Sequence, residues 1–205
     1  MTRALPIPVF DLGAVLVDWQ PRAMYAKRFP GREADVEWVL ANAWTHDWNL
    51  ETDRGMSHQE AAGILKARHP AQAELIQAYA DHWIDMLVGD IPGTVEIFNA
   101  LRREAPRVYA ITNWNQDTFK LARGRYPFLE DFDGIIVSGD EKLIKPDRAI
   151  FDLFFARYGV TAAECIFIDD NAKNIDAARA LGMTGHHFKS AEALRMELRG
   201  LGYSL

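Results

Sequence analysis

Apolar residues along this chain fall into two alternating patterns. From about Ile91 onward, short β-prone apolar runs take turns with stretches whose apolar positions recur at helical spacing. The runs cover residues 107–112, 134–138, 165–168 and 186–188. Between them, residues 93–105 gather Val95, Ile97, Phe98 and Leu101 on one face, and residues 147–158 gather Ile150, Phe151, Phe154 and Phe155. Residues 116–125 read as a helix that stops before Pro127, and residues 172–181 as one closed by Gly182. Ser190 is placed to cap a last helix. Thr161 with Glu164 resembles a capping box, but an apolar run of strand length follows at once, so the pair is read as a turn.

This alternation predicts an α/β fold, a parallel sheet covered by helices on both faces. A first strand at residues 7–10 stands apart from the rest, and Pro8 inside it removes a ladder donor. Either that strand is shorter than it looks, or the missing donor faces away from its neighbour. Residues 19–88 contain no convincing strand. Trp38-Val39-Leu40, Ala61-Ala62 with Ile64-Leu65, and Leu75-Ile76 with Tyr79 and Trp83 predict three amphipathic helix faces there. The expected organisation is a core of residues 1–18 and 89–205 with a helical insertion at 19–88, hinged near Asp18 to Gln20 and Gly89 to Pro92.

Composition narrows the class more than the function. With 205 residues, 49% hydrophobic and 25% charged, the chain is long enough for one large domain with an insertion. The formal net charge of -6 and the lack of a basic tract argue against nucleic-acid binding. No apolar run reaches the roughly 18 residues that span a bilayer, so no membrane partner is expected. The lone Cys165 lies in an apolar run and reads as a core residue, and Met1-Thr2-Arg3 opens no signal-peptide-like segment. A cytoplasmic location is the expectation; oligomeric state is not legible.

Candidate chemistry collects where the runs end. Asp11 with Gly13 follows the first strand, Thr112-Asn113 the second, Lys145-Pro146 precedes a helix, and Asp169-Asp170 follows the run at 165–168 with Asn174 a turn later. Strand ends of an open parallel sheet form its ligand-binding edge. Carboxylates crowded there repel one another unless a hard cation sits among them. In this order, Phe10-Asp11-Leu12-Gly13, Ile111-Thr112-Asn113, Ile144-Lys145-Pro146 and Phe167-Ile168-Asp169-Asp170 resemble the motifs of the haloacid dehalogenase (HAD) superfamily, in the branch with a helical cap after the first strand. The resemblance covers essentially the whole chain and implies a Rossmann-like core with a cap of four-helix-bundle type.

That resemblance implies chemistry for each position. Asp11 is the nucleophile, and Asp11, the Gly13 backbone carbonyl and Asp170 hold a magnesium ion, with Asp169 beside them and able to exchange roles with Asp170. Thr112 hydrogen-bonds phosphoryl oxygens, and Lys145 supplies a point charge to the phosphate and to Asp11. The implied partner is a small phosphorylated metabolite, and the Asp-Leu-Gly pattern resembles bacterial phosphatases of sugar phosphates such as glucose 1-phosphate.

Gly13 departs from the usual pattern, in which an aspartate acts as general acid and base. Glycine keeps the carbonyl but deletes a proton donor worth about 10²- to 10⁴-fold. Three readings follow: a phosphatase with its acid supplied elsewhere, a metal-independent 2-haloacid dehalogenase with an ester intermediate on Asp11, or a silent relative that binds a phosphorylated ligand. An unneutralised Asp169-Asp170 pair beside the nucleophile argues for the metal and the first reading. His46, Asp47, Glu51 and Asp53 are cap residues that could supply the acid. Asn113, Trp114, His46 and Arg54 are the expected substrate contacts.

Overall fold

The computed structural model describes residues 4–205, so the reading of Met1, Thr2 and Arg3 lies outside the described residues. Seven strands occur among them: β1 Ile7–Phe10, β2 Val17–Trp19, β3 Leu87–Asp90, β4 Tyr109–Thr112, β5 Gly134–Val137, β6 Cys165–Asp169 and β7 Thr184–His187. Five form a parallel sheet in the order β5-β4-β1-β6-β7, with β1 at the centre, and β2 pairs antiparallel with β3. The sheet is the expected α/β architecture, and the chain reverses its winding direction at β1, where β4 and β6 flank it. That puts the crevice at the carboxyl end of β1.

Both faces of the sheet are covered, which explains the unbroken apolar runs. Ile7, Val9, Cys165 and Phe167 join one buried cluster with Ile150, Phe151 and Phe154 of helix Arg148–Tyr158 and Ile175 and Ala178 of helix Ala172–Ala180. The alternate residues Phe10, Ile166 and Ile168 face the other cluster, with Ile97, Phe98 and Leu101 of helix Thr94–Glu104 and Leu194 and Leu198 of helix Ala191–Gly200. The period of two along each strand decides which residues meet.

The same parity resolves Pro8. The Asp11 amide donates to Ile168 O at 2.8 Å, so odd-numbered β1 residues point their amides toward β6 and even-numbered ones toward β4. Pro8 therefore lacks a donor on the β4 side, where pairing begins only at Val9 with Tyr109. The missing N–H falls outside the ladder.

Differences from the sequence reading sit at edges and in the insertion. The run at 107–112 becomes a strand only from Tyr109, because the Val108 amide donates to the Asp133 side chain (2.7 Å) rather than to the ladder. Ser138, read as strand, opens a short helix at Ser138–Glu141. The last strand begins at Thr184, two residues before the expected start; Gly185 and two histidines hid it, and Phe188 still donates to Asp169 O (2.9 Å). Thr161 and Glu164 do form both bonds of a capping box, around a single 3-10 turn that leads straight into β6.

Between β2 and β3 lie five α-helices: α1 Pro21–Arg28, α2 Glu33–Asn42, α3 His46–Asp53, α4 His58–Arg68 and α5 Ala73–Asp81. The three apolar stretches fall on α2, α4 and α5, except that Trp83 lies beyond α5 in the 3-10 turn Trp83–Met86, while α1 and α3, eight residues each, carry too few apolar positions to be seen. The four-helix expectation thus undercounts by one. Tyr25, Val39, Leu65, Ile76 and Tyr79 build a helical core continuous with one face of the sheet, joined through Trp83 against Trp114 (5.6 Å between ring centroids). No described helix is long and apolar enough to cross a membrane.

His58, at the start of α4, is packed among Trp44, Tyr79 and Trp83 with centroid separations of 5.9, 6.1 and 5.9 Å. Burial pushes its pKa down from 6.5 to about 4, with a small opposing pull from Asp117. A histidine that must stay neutral to remain folded stabilises above its unfolded pKa, and that stability is lost as pH falls from 6.5 toward 4. The loss is on the order of 3 kcal/mol. Urea unfolding from pH 7 to 4 should show a steep acid limb that flattens in His58→Gln; parallel limbs would contradict the assignment.

Candidate active site

The site is assembled by three segments that the sheet brings together. Asp11 follows β1, and its Oδ1 accepts from the Leu12 amide (2.7 Å) and lies 3.0 Å from Lys145 Nζ. Among the described residues its Oδ2 has no hydrogen-bond partner. Asp169 ends β6 and is fully buried. Its Oδ2 accepts from Lys145 Nζ (2.7 Å), its Oδ1 from the Asn171 amide (2.8 Å), and Asn174 Nδ2 lies 3.0 Å from both oxygens. Lys145 is 1% exposed. One ammonium is thus shared by two carboxylates in a site nearly closed to water.

The electrostatics follow from that burial. Desolvation alone would depress Lys145, yet Asp11 and Asp169 together more than reverse it and hold its pKa above the ordinary value. Burial pushes the Asp11 carboxyl up, Lys145 pulls it back, and Asp169 adds to the rise. Asp170 is exposed and shifted upward by partial burial and by Asp169. Lys145 itself is set by Asn113, whose Nδ2 donates to Lys145 O (3.0 Å) and whose Oδ1 accepts from Lys145 N (2.8 Å).

Carboxylate oxygens of Asp11, Asp169 and Asp170 lie within 4.8 Å of one another. Three carboxylates against one ammonium leave excess negative charge, and every donor is a hard oxygen, so the set fits a hard dication. Asp169 has its oxygens engaged by three donors. Asp170 has no side-chain partner among the described residues, which makes it the freer ligand. The turn after Asp11 is closed by Leu12 O, which accepts from Leu16 N (2.8 Å) and Val17 N (2.9 Å), and by Val17 O, which accepts from Ala14 N (2.9 Å). The Gly13 carbonyl takes no part in those bonds. A Cβ at Gly13 would meet nothing within 4 Å, so the backbone does not demand glycine there.

Above this cluster lies a cavity of about 300 Å³. The core contributes Asp11, Gly13, Lys145, Asp170, Asn113 and Trp114 to its wall. The helical insertion contributes Asn49, Leu50, Asp53, His58, Tyr79 and Trp83, with His46 exposed at the rim. Some of the wall's polar groups bond one another: Tyr79 OH donates to Asn49 Oδ1 (3.0 Å) and Thr118 Oγ1 to Asn115 O (3.3 Å), while Nε1 of Trp19 and of Trp114 and Oδ1 of Asn174 have no partner among the described residues.

Asn115 does double duty. Its Oδ1 caps helix Gln116–Arg125, while its Nδ2 donates to Thr52 O and Met56 O, both at 2.9 Å. Ser138 Oγ donates to Asp53 O (2.7 Å) and Gln116 Nε2 to Gly55 O (3.3 Å). Carbonyls at the end of α3 are therefore satisfied by side chains of the core, and the two parts are stitched together beside the cavity.

Measured against the expected site, Asp11, Gly13, Lys145, Asp170, Asn113, Trp114 and His46 all border the cavity, and Asp169 stands directly behind. Thr112 is buried at the end of β4 and is not part of the wall. Arg54 is a correction: it points away, pairing with Glu51 (3.3 Å) and approaching Asp147 (4.0 Å). The Asn113 amide is consumed in holding Lys145, so it is a poor substrate contact. His58, Tyr79 and Trp83 were not foreseen as wall residues; the apolar spacing of 75–83 marked Tyr79 and Trp83 only as core.

A family model for haloacid dehalogenase-like hydrolases matches residues 9–182. The chain belongs to that family. It is 35% identical over 105 residues to the sesquiterpene phosphatase astK of Aspergillus oryzae, a span of 51% of this chain and 54% of the relative. It is 30% identical over 205 residues to the drimenol cyclase drtB of Aspergillus calidoustus, or 98% of this chain and 37% of that one. The chain thus spans about half or less of these curated relatives. Its fold matches a HAD family enzyme of Bacteroides thetaiotaomicron, solved in complex with magnesium and inorganic phosphate, at TM-score 0.70 and 20% identity over 91% of this chain and 96% of that one. L-2-haloacid dehalogenase of Xanthobacter autotrophicus, with chloropropionic acid covalently bound, matches at TM-score 0.66 and 20% identity over 98% and 85%. At such identity the likeness carries the fold alone.

Removing the shared cation should be costly. Lys145→Met leaves two buried carboxylates unpaired and should lower the unfolding free energy by about 3–5 kcal/mol. Adding Asp169→Asn should return part of that loss in urea unfolding, because it removes one of the stranded charges. Strictly additive losses would contradict the triad.

Proposed function

We propose that this chain is a magnesium-dependent phosphatase that hydrolyses a small phosphomonoester through an aspartyl-phosphate on Asp11. The observation that carries the reading is the half-satisfied Asp11. One oxygen is held by Leu12 N and Lys145, and the other is left free for attack. Asp11 Oδ2 attacks phosphorus, the ester oxygen departs, and water then hydrolyses the acyl phosphate. Lys145 offsets charge on Asp11 and the phosphoryl group, and Asp169 and Asn113 keep Lys145 in place. Magnesium, held by Asp11, Asp170 and the Gly13 carbonyl, supplies charge neutralisation where nucleophile and phosphate meet.

The cavity argues about the organic part of the substrate. Trp83, Trp114, Tyr79, Leu50 and a neutral His58 present apolar and aromatic surface, and the Tyr79 hydroxyl is already bonded to Asn49. Among the described residues, Lys145 is the one cation on the wall apart from histidine, and it is engaged by Asp11 and Asp169, which leaves none of them for a second anionic group. These features favour a phosphomonoester with an apolar or aromatic body over a hydroxyl-rich sugar phosphate. A relative named as a sesquiterpene phosphatase agrees in direction.

The test is phosphate release from isoprenyl, aryl and sugar monophosphates, with and without magnesium. Isoprenyl or aryl esters should exceed glucose 1-phosphate in kcat/KM, chelation should abolish turnover, and Asp11→Asn should reduce it by about 10⁴-fold or more. Chloride release from 2-chloropropionate, unaffected by chelator, would overturn the reading in favour of a dehalogenase. Failure to turn over any ester would leave a ligand-binding relative.

A further inference from the structure

The phosphatase reading leaves one chemical requirement unmet. An alkoxide expelled from phosphorus needs a proton, and Gly13 has no side chain to give one. Among titratable groups on the wall, Asp11, Lys145 and Asp170 belong to the nucleophile cluster. The His58 ring is enclosed by aromatics, and Tyr79 OH is committed to Asn49. His46 stands at the exposed rim. Asp53 remains.

Asp53 is the last residue of α3 and lines the cavity opposite the core cluster. Its carboxylate makes no hydrogen bond or ion pair with any described residue. Its main chain, by contrast, is fixed on both sides. Ser138 Oγ donates to the Asp53 carbonyl at 2.7 Å, and Asn115 Nδ2 ties the carbonyls of Thr52 and Met56 at 2.9 Å each. The support beneath is tight: a Cβ on Gly139 would fall 2.5 Å from Gln116 N and 2.8 Å from Trp114 O. A free carboxyl on an immobilised backbone, aimed into a catalytic cavity, has the geometry of an acid-base group rather than of a structural ion.

We infer that Asp53 is the proton donor to the departing oxygen and then the proton acceptor from the hydrolytic water, an inference that rests on the phosphatase reading. In the first half-reaction Asp11 Oδ2 forms a bond to phosphorus and the P–O ester bond breaks. The departing oxygen keeps the bonding pair and takes the Asp53 proton, leaving an alcohol and an Asp53 carboxylate. In the second, that carboxylate removes a proton from water as its oxygen bonds to phosphorus. The Asp11–phosphorus bond breaks, returning Asp11 as carboxylate, Asp53 as acid and phosphate as product. Burial, reinforced by the negative charge of Asp11, holds the Asp53 carboxyl up at about 7, where it can give and take a proton near neutral pH. The empty space beside Gly13 is then room for the leaving group and water rather than a defect.

The test uses the magnesium-loaded protein and esters that differ in leaving-group acidity. kcat/KM, which reports only steps through the first irreversible transfer, is measured for 4-nitrophenyl phosphate and for hexyl phosphate. Asp53→Asn should lower the hexyl ester about 10²- to 10³-fold and the 4-nitrophenyl ester less than about tenfold. It should also show a burst of nitrophenolate, because the second half-reaction loses its base. With no side-chain partner to lose, the variant should keep the wild-type thermal midpoint. Should it fail to fold, the wild type alone decides: kcat/KM across a series of esters should depend weakly on leaving-group pKa, and a steep dependence overturns the inference. Equal losses on both esters, or none, overturn Asp53 while leaving the phosphatase standing. A wild type that releases phosphate from neither ester overturns both.

Discussion

A single buried ammonium organises this molecule. Lys145 has almost no contact with water, and it is held between Asp11 and Asp169, at 3.0 and 2.7 Å. None of the three charges would be tolerable there alone, since an unpaired ion in the interior costs several kcal/mol. The fold must therefore bring the end of β1, the end of β6 and the segment before Pro146 to one point, and the parallel pairing of β1 with β6 does so. Two carboxylates on one cation also leave surplus negative charge, and exposed Asp170 adds to it. The structural solution to burying a lysine thereby leaves a cluster of hard, negatively charged oxygens that fits a dication.

What this cluster cannot provide, the helical insertion does. Its apolar core is continuous with one face of the sheet, so α1 to α5 are more than an appendage. Tyr79, Trp83 and His58 shape the cavity from one side while Trp114 meets them from the other. The contacts that fix the end of α3 come from Asn115, Gln116 and Ser138, residues that follow β4 and β5. Position over the nucleophile and position within the insertion are thus set by the same few hydrogen bonds.

Much of this was legible in the chain, for identifiable reasons. Strands buried on both faces write themselves as apolar runs, and the acids at their ends stand out against that background. Asp11, Asp169 and Asp170 were found that way, Lys145 by its place in the ordered motifs, and the family match supports the fold they imply. Other features leave no such trace. The clamp on 52–56 is made to main-chain carbonyls, so no residue type at the receiving end marks it. α1 and α3 are too short and polar to show a stripe, and the β2–β3 pair is only three or four residues long. Arg54 and Asp53 are adjacent in sequence, yet one turns to the surface and the other to the cavity; only helix phase separates them. Asn113 faces the cavity, but its amide is used to hold Lys145.

The central claim is that Asp11 becomes covalently phosphorylated, with its unbonded oxygen as the attacking atom. The most direct measurement is acid quench during steady turnover of a phosphomonoester, followed by peptide mapping of the protein. A phosphoryl group is expected on the Asp11 side chain, base-labile as an acyl phosphate and absent from Asp11→Asn. A phosphoryl group on another residue, or turnover with none trapped on Asp11, would contradict it.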